Sequence, residues 1–466
     1  MKSTDIAIIG GSVGGLVAAV TSKKRNPEKS VTVIRNVMKS MVPCGIPYIY
    51  GTLKAVEKDQ IPDQKFLDMG IEIVCSDVAS IDRDNKALQF RDGEALRYDK
   101  LIVATGSKPF VPPIKGVALD NVFVVEKDPV KLQSLYNALE TAKNVIVIGG
   151  GFIGVEMAEQ ITVMKQAEKD TKVTIVEMLP HCLMMACEEE FCVQVENELT
   201  ESGINIVTGQ GVKEIRGGNQ VTSVLLADGT ELSADLVLIS AGAKPNAELA
   251  EKCGLKTDPH QGIVVNEYMQ TNDPDIFAAG DCASKTAFIT GKPSGIRLAS
   301  VASSEGMIAA SNLYNEVKRK SMGALGAFAT KVGPHSIASA GLTTKAAEEE
   351  GIEVVVGEAV APNRHPGNLP GCVMNMKAML LFRKDNGKIV GGHVIGGESA
   401  ADMVNAISVA IQAGNTMEEL ATMQYATHPL LTASPTAYHI MLAAENGAIK
   451  LKRLQEKQSA KEALTV

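Results

Sequence analysis

Tryptophan is absent from this 466-residue chain, and aromatic residues together make up 4% of it. That leaves little material for base-stacking platforms, and a formal net charge of -8 argues against a large nucleic-acid footprint. No apolar run approaches the ~20 residues that span a bilayer. Met1 leads straight into a strand pattern, with no charged, apolar and cleavable leader. The eight cysteines follow no regular spacing, so a secreted disulfide framework is not indicated and a reducing cytoplasm is expected. Cys182, Cys187 and Cys192 recur every five residues, which neither shares a helix face nor matches a metal pattern, and no metal is expected. One scarcity is local. Around Cys44, in Met41-Val-Pro-Cys-Gly-Ile-Pro-Tyr48, no second cysteine lies near enough in sequence for a local redox disulfide, so this thiol has to work alone.

What is present is a soluble globular composition, 45% hydrophobic with interspersed charge, long enough for roughly three domains of about 150 residues. The apolar run at 5–9 meets Gly10-Gly-Ser12-Val-Gly-Gly15, a helix pattern follows to about Lys24, and a second strand runs from Val31 to Arg35. This is the start of a β-α-β unit. Residues 145–178 repeat it. Each unit is followed by an apolar strand ending in a glycine, Ala104-Thr105-Gly106 or Ser240-Ala241-Gly242, with a proline three residues beyond. Two related nucleotide-binding domains are the simplest account. The second is inserted in the first, because Ile276-Phe-Ala-Ala-Gly280-Asp281 reads as a strand end that returns to it. From about Phe328 the texture changes to strands near 352–360, 373–383 and 388–396 and a helix near 400–413, a separate α+β domain. The polar tail after Ile449 reads as a solvated helix or frayed end.

The stronger glycine motif is Val145-Ile-Val-Ile-Gly149-Gly-Gly151-Phe-Ile-Gly154-Val-Glu156. Gly149 permits the tight turn, Gly151 lets a pyrophosphate approach the helix N-terminus, and Gly154 lets helix and strand pack closely. Glu177, at the end of the next strand, is placed to accept from a ribose 2′-hydroxyl. No Arg or Lys follows between 178 and 187 to hold a 2′-phosphate, so NADH is favoured over NADPH. The first motif departs from the ideal, with Ser12 at the second glycine and Arg35 where an acid normally holds the ribose.

Together with Thr105-Gly106 and Gly280-Asp281, that first motif resembles the FAD site of two-dinucleotide-domain flavoproteins, in which an acid like Asp281 binds the ribityl or phosphate region. The chain is similar, over about residues 1–448, to the pyridine nucleotide-disulfide oxidoreductases. It most resembles their single-cysteine branch of CoA-disulfide reductases, NADH oxidases and NADH peroxidases, whose redox turn Cys44-Gly-Ile-Pro-Tyr48 matches. The resemblance implies an α/β fold of two Rossmann-like domains plus a C-terminal α+β dimerisation domain. It divides the chain as 1–113 with 271–327 (FAD), 114–270 (NAD), 328–448 (dimerisation) and 449–466 (tail). It also implies a homodimer whose C-terminal segment reaches over the partner's flavin.

Where oxidases and peroxidases carry a histidine in the first glycine loop, Val13 stands, which weakens that reading. Two tyrosines that CoA-disulfide reductases place near the thiol correspond to His365 and Tyr425; either could protonate a leaving thiolate. His428-Pro429 resembles the His-Pro of two-cysteine relatives, but Ala433 replaces the glutamate of their dyad, and an ordinary structural histidine competes with a catalytic one. Lys24 and Ser40 match coenzyme A contacts, whereas Pro43 replaces an asparagine; for Lys24 a solvated cationic helix end is the competing reading. No rhodanese-like domain is evident after the dimerisation domain. The resulting expectation is an NADH-dependent FAD enzyme that passes electrons through Cys44 to a small sulfur substrate. That substrate is a CoA disulfide, a CoA persulfide or polysulfide, with coenzyme A as substrate or bound ligand. The alternatives are an NADH oxidase working through a Cys44 sulfenic acid, a flavoprotein electron donor to a protein partner, and a redox-sensing NADH-binding protein.

Overall fold

A computed structural model of the chain describes residues 2–167, 170–314 and 319–463. Parallel strands covered on both faces demand nearly continuous apolar sequence, and the first half of the chain supplies it. Strand Lys2–Ile9 pairs in parallel with Val31–Arg35 on one side and with Ala95–Val103 on the other. Ile71–Cys75 extends the sheet beyond Val31–Arg35. Ala87–Phe90 and Val78–Asp82 continue it antiparallel from the other edge. Ile276–Ala278 pairs in parallel with Leu101–Val103, so the chain returns to its first sheet where the sequence indicated. Ile6, Ile8, Val33, Leu101 and Ile102 are fully or almost fully buried in this core, each worth about 1.5–3 kcal/mol of apolar burial.

A second parallel sheet, in the order Lys172–Val176, Asn144–Ile148, Leu236–Ile239 and Val122–Val124, forms the inserted unit. The two glycine-ended repeats meet directly: Ser107–Pro109 pairs antiparallel with Ala243–Pro245, Lys108 opposite Lys244. Asn246 N–H donates to the Gly106 carbonyl at 2.9 Å, and the Thr105 hydroxyl donates to the Asn246 carbonyl at 2.6 Å.

By its internal contacts the chain forms two compact units, Met1–Met178 with Gln210–Ala324, and Leu179–Gly209 with Leu325–Val466. The second is built on a five-stranded antiparallel sheet ordered Ala327–Val332, His335–Gly341, Ile389–Gly396, Met376–Arg383, Val354–Ala361. The sequence reading named the last three of these strands and the helix Ala400–Ala413; the structure adds the first two. The polar tail is helical, as the end of His439–Ala463, up to the last described residue. Helix Glu189–Glu201 joins this unit through its buried Phe191, stacked on His393 at 6.0 Å. Glu188, at its N-terminus, accepts from the Thr344 backbone N–H at 2.6 Å and from its hydroxyl at 2.7 Å. Among the described residues no helix is long and apolar enough to cross a membrane, and no cluster of His, Cys, Asp or Glu could hold a metal ion.

Candidate active site

Both glycine loops are shaped for a dinucleotide. Gly10 adopts φ 122°, and a Cβ there would lie 2.0 Å from the Ala104 carbonyl oxygen. A Cβ on Gly15 would lie 1.9 Å from the Gly10 oxygen, so helix Val13–Arg25 approaches its strand only because both are glycine. The second loop repeats the device: a Cβ on Gly154 would sit 1.9 Å from the Gly149 oxygen. At Gly151, by contrast, a Cβ would meet nothing within 4 Å. That is the open approach a pyrophosphate needs at the start of helix Phe152–Met164. Glu177 is buried at the end of its strand and accepts from the Gly150 N–H at 2.5 Å. Its carboxylate therefore lies against the loop, where an adenosine ribose would lie. These residues fit FAD in the first cradle and NADH in the second.

The first cradle differs from the sequence picture at Arg35. Its guanidinium is buried and grips Asp63 with two bonds, 2.7 and 2.8 Å, which hold the Asp63 carboxyl down to about 2. Arg35 also donates to the Ser40 hydroxyl at 3.2 Å, and Ser40 is itself buried. These two residues pack together beneath the loop, which leaves neither the guanidinium nor the hydroxyl presented at the surface. Lys24 is exposed at the end of its helix, next to Lys23, which donates to the carbonyls of Pro27 and Lys29.

Asp281 follows Gly280, which takes φ 81°. Beneath it lies a buried pair that no motif announced. Glu305 accepts from Gly280 N–H at 2.8 Å, while Lys285 donates to the Gly280 carbonyl at 2.7 Å and stands 3.2 Å from Glu305. Burial pushes the Glu305 carboxyl up to about 7, against the pull of Lys285. Asp281 accepts from the Ser107 hydroxyl at 2.8 Å, with the Lys127 ammonium 3.6 Å away.

Cys44 lies on the short helical turn Pro43–Gly45 and is exposed. The following turn, Ile49–Leu53, docks on helix Phe152–Met164: a Cβ on Gly51 would be 2.6 Å from the Gln160 carbonyl oxygen, and Thr52 donates to the Gln160 side chain at 2.8 Å. This docking carries Cys44 into the field of Glu156, four residues into that helix. Desolvation by its surroundings raises the Cys44 pKa most; Glu156, Asp59 and Asp281 add to it, and Lys127 opposes them. Burial and the charges of Glu156 and Glu159 push nearby Tyr48 up to about 12. Cys44 thus shares one electrostatic neighbourhood with Glu156 and Asp281, one residue from each cradle.

His365, Tyr425 and His428 gather in the C-terminal unit. The His365 N–H donates to the Pro429 carbonyl at 3.1 Å, and its Nδ1 faces the Thr432 carbonyl at 3.0 Å. A carbonyl only accepts, so Nδ1 carries the hydrogen and a neutral ring keeps Nε2 as its acceptor. His428 is reversed: Nδ1 accepts from the Leu430 N–H at 3.2 Å, so the neutral ring carries its hydrogen on Nε2. The Tyr425 hydroxyl donates to the Pro435 carbonyl at 2.8 Å, and its ring stacks on Tyr438 at 4.0 Å. Around them, residues 426–431 are exposed.

Residues 4–306 match the pyridine nucleotide-disulphide oxidoreductase family, and residues 328–438 match that family's dimerisation domain. The chain belongs to this family. Pyridine nucleotide-disulphide oxidoreductases are FAD- and NAD(P)H-dependent, so the chain is an FAD-dependent NAD(P)H oxidoreductase. An NADH oxidase of Methanocaldococcus jannaschii is 32% identical over 457 residues, which cover 95% of this chain and 98% of that one. An NAD(P)H coenzyme A polysulfide/persulfide reductase of Pyrococcus horikoshii is 32% identical over 390 residues, 81% of this chain and 86% of its own. Among solved structures of the family, the NAD-dependent persulfide reductase from A. fulgidus matches with a TM-score of 0.87 at 30% identity, covering 96% of this chain and 83% of that one.

Proposed function

We propose that this family member uses NADH to reduce a low-molecular-weight sulfur substrate through Cys44. The substrate class is a disulfide, persulfide or polysulfide of coenzyme A. The observation that carries this reading is an exposed thiol, Cys44, on a turn that docks on helix Phe152–Met164 and in one electrostatic neighbourhood with Glu156 of one cradle and Asp281 of the other. Relatives named as coenzyme A polysulfide/persulfide and persulfide reductases support the substrate class. When bound, NADH and FAD supply the electron pair and one of the two protons that convert a disulfide into two thiols. The chain's own part is exchange and protonation. The Cys44 thiolate attacks one sulfur of the substrate, a new Cys44–S bond forms, the S–S bond breaks, and the departing thiolate takes a proton. Cys44 has to lose its proton first, and Lys127 is the cation that favours this.

We assign the proton donation to Tyr425, His365 and His428 of a partner subunit, in a cytoplasmic homodimer with shared sites. The matched dimerisation domain supports that assembly. Gly10, Ser12, Gly15, Thr105, Gly106, Gly280 and Asp281 are assigned to FAD, and Gly149, Gly151, Gly154, Glu156, Glu177 and Gly242 to NADH. For Arg35 and Ser40 we propose support of the first cradle from beneath, and for Lys24 a place at the edge of a coenzyme A site. We keep the division into an FAD domain, an inserted NAD domain and a dimerisation domain at the boundaries read from the sequence, except that Leu179–Gly209 is counted with the C-terminal unit it packs in.

A second reading, an NADH oxidase, is favoured by the M. jannaschii relative, which matches nearly the whole chain. The deciding measurement is the non-reducing intact mass of the denatured protein, purified without added thiols, beside Cys44→Ser. A gain of one coenzyme A in the wild type alone is the expected result. A gain of oxygen at the same residue favours the oxidase. Full NADH-dependent turnover in Cys44→Ser sinks the role of the thiol in both readings.

A further inference from the structure

The turn that carries Cys44 rests on a carboxyl that none of the sequence motifs includes. Asp59 is 4% exposed, and its Oδ2 has no hydrogen-bond partner. Its other oxygen is so close to Gly45 that a Cβ there would lie 1.9 Å from it. The same residue holds the loop through its backbone, because Val42 N–H donates to the Asp59 carbonyl at 2.9 Å and Met41 bridges Gln60. A buried carboxylate with a free oxygen is costly. An asparagine would fill the same space without the charge.

We propose that Asp59 is a positioning residue for Cys44: its carboxyl sets the height of the Pro43–Gly45 turn, and its charge adds to those of Glu156 and Lys127 in setting how readily the thiol gives up its proton. The proposal rests on the reading of Cys44 as the electron-carrying thiol. While Asp59 is ionised it repels a thiolate; once Asp59 is protonated that repulsion is gone, so the two groups discourage each other's negative charge.

The other groups around Asp59 leave this coupling in place. On its own turn Glu57 and Lys58 are exposed. From the turn Ile49–Leu53 the titratable neighbour is Tyr50, fully buried with its hydroxyl unpartnered. From helix Pro129–Thr141, Tyr136 stacks on Tyr50 at 6.0 Å, while Lys131 and Glu140 are exposed. Around Cys44 stand Glu156, Asp281, Lys127 and Tyr48, and all four remain when Asp59 is changed. Burial holds the Asp59 carboxyl up at about 6, with the nearby Val42 N–H pulling the other way, so it titrates where it can act as a switch.

The test reads protonation instead of turnover, so it can fail independently of the substrate assignment. Reduced holoenzyme, wild type and Asp59→Asn, is alkylated with iodoacetamide from pH 5 to 9. The rate at the Cys44 peptide is followed by mass spectrometry, with exposed Cys75 as internal reference. Alkylation of Cys44 in Asp59→Asn is expected to be about threefold faster than in the wild type at pH 8, where Asp59 is ionised, a shift of roughly half a pH unit, with the difference fading towards pH 5 and Cys75 unchanged. In the wild type, the logarithm of the Cys44 rate should rise with a slope below one across the Asp59 titration near pH 6, and with a slope of one in the variant. Superimposable Cys44 profiles overturn the proposal. If Asp59→Asn does not fold, the wild-type profile decides alone: a slope of one throughout that range overturns it.

Discussion

Asp59 also leaves a signature in stability. Its carboxyl is raised from 3.8 to about 6 in the fold by burial, so the folded state binds this proton more tightly than the unfolded chain. Its contribution therefore becomes less favourable as pH rises from about 4 to 6 and stays so above that. Asp59→Asn should match the wild type near pH 3.5 and exceed it by about 3 kcal/mol at pH 8, measured by urea unfolding of the holoenzyme. A difference that does not change with pH contradicts this. Gly45→Ala acts on the same contact from the other side: the added methyl meets the carboxyl oxygen at 1.9 Å, and about 1–3 kcal/mol of stability should be lost in the same assay. The motif glycines and the acid at 177 were legible in the sequence because they stand at strand ends, and the turn around Cys44 because it resembles the family's redox turn. Asp59, Lys127 and the Lys285–Glu305 pair were not. Each works through contacts made across the fold, and Val56-Glu-Lys-Asp59 reads locally as an ordinary exposed polar turn.

At the scale of elements, the two β-α-β units were legible because buried parallel strands leave an uninterrupted apolar run before a glycine loop. Strands Ala327–Val332 and His335–Gly341 were not: His-Ser-Ile-Ala-Ser-Ala-Gly carries mostly small residues of weak strand preference, and Ala-Phe-Ala-Thr-Lys-Val has Phe, Thr and Val but only six residues to show a pattern in. They are held by their neighbours, each paired along its length. The close contact of helix Phe152–Met164 with its own loop gives the prediction at this scale. Gly154→Ala places a methyl 1.9 Å from the Gly149 oxygen, which pushes the helix start away from the loop. NADH affinity should fall by roughly tenfold or more, about 1.4 kcal/mol, with the FAD content of the purified protein unchanged, since that cradle is Gly10–Gly15. Titration calorimetry with NADH and the flavin absorbance check the two halves; loss of both cofactors together would count against independent cradles.

At the scale of the whole molecule, the segment Leu179–Gly209 follows the second glycine unit in sequence yet packs with the C-terminal sheet. Sequence order alone assigned it to the NAD domain; its partners are set by Phe191 on His393, Glu188 on Thr344 and Lys377 on Glu190, all distant along the chain. A chain cut after Ala324 should therefore strip the cover from Phe191, Cys192 and Val195, bind a hydrophobic dye and precipitate. A soluble fragment with wild-type NADH affinity would count against this. The paired strands Ser107–Pro109 and Ala243–Pro245 have the opposite consequence. The chain enters the inserted domain and leaves it at neighbouring positions, so both ends of that piece meet at a single seam. It is a cassette with three attachments: a newcomer recombined at the seam has to reproduce the helix flank of Gln160 and Val163 on which Gly51 rests, the charges of Glu156 and Lys127 that act on Cys44, and a segment that packs on the C-terminal sheet as Leu179–Gly209 does.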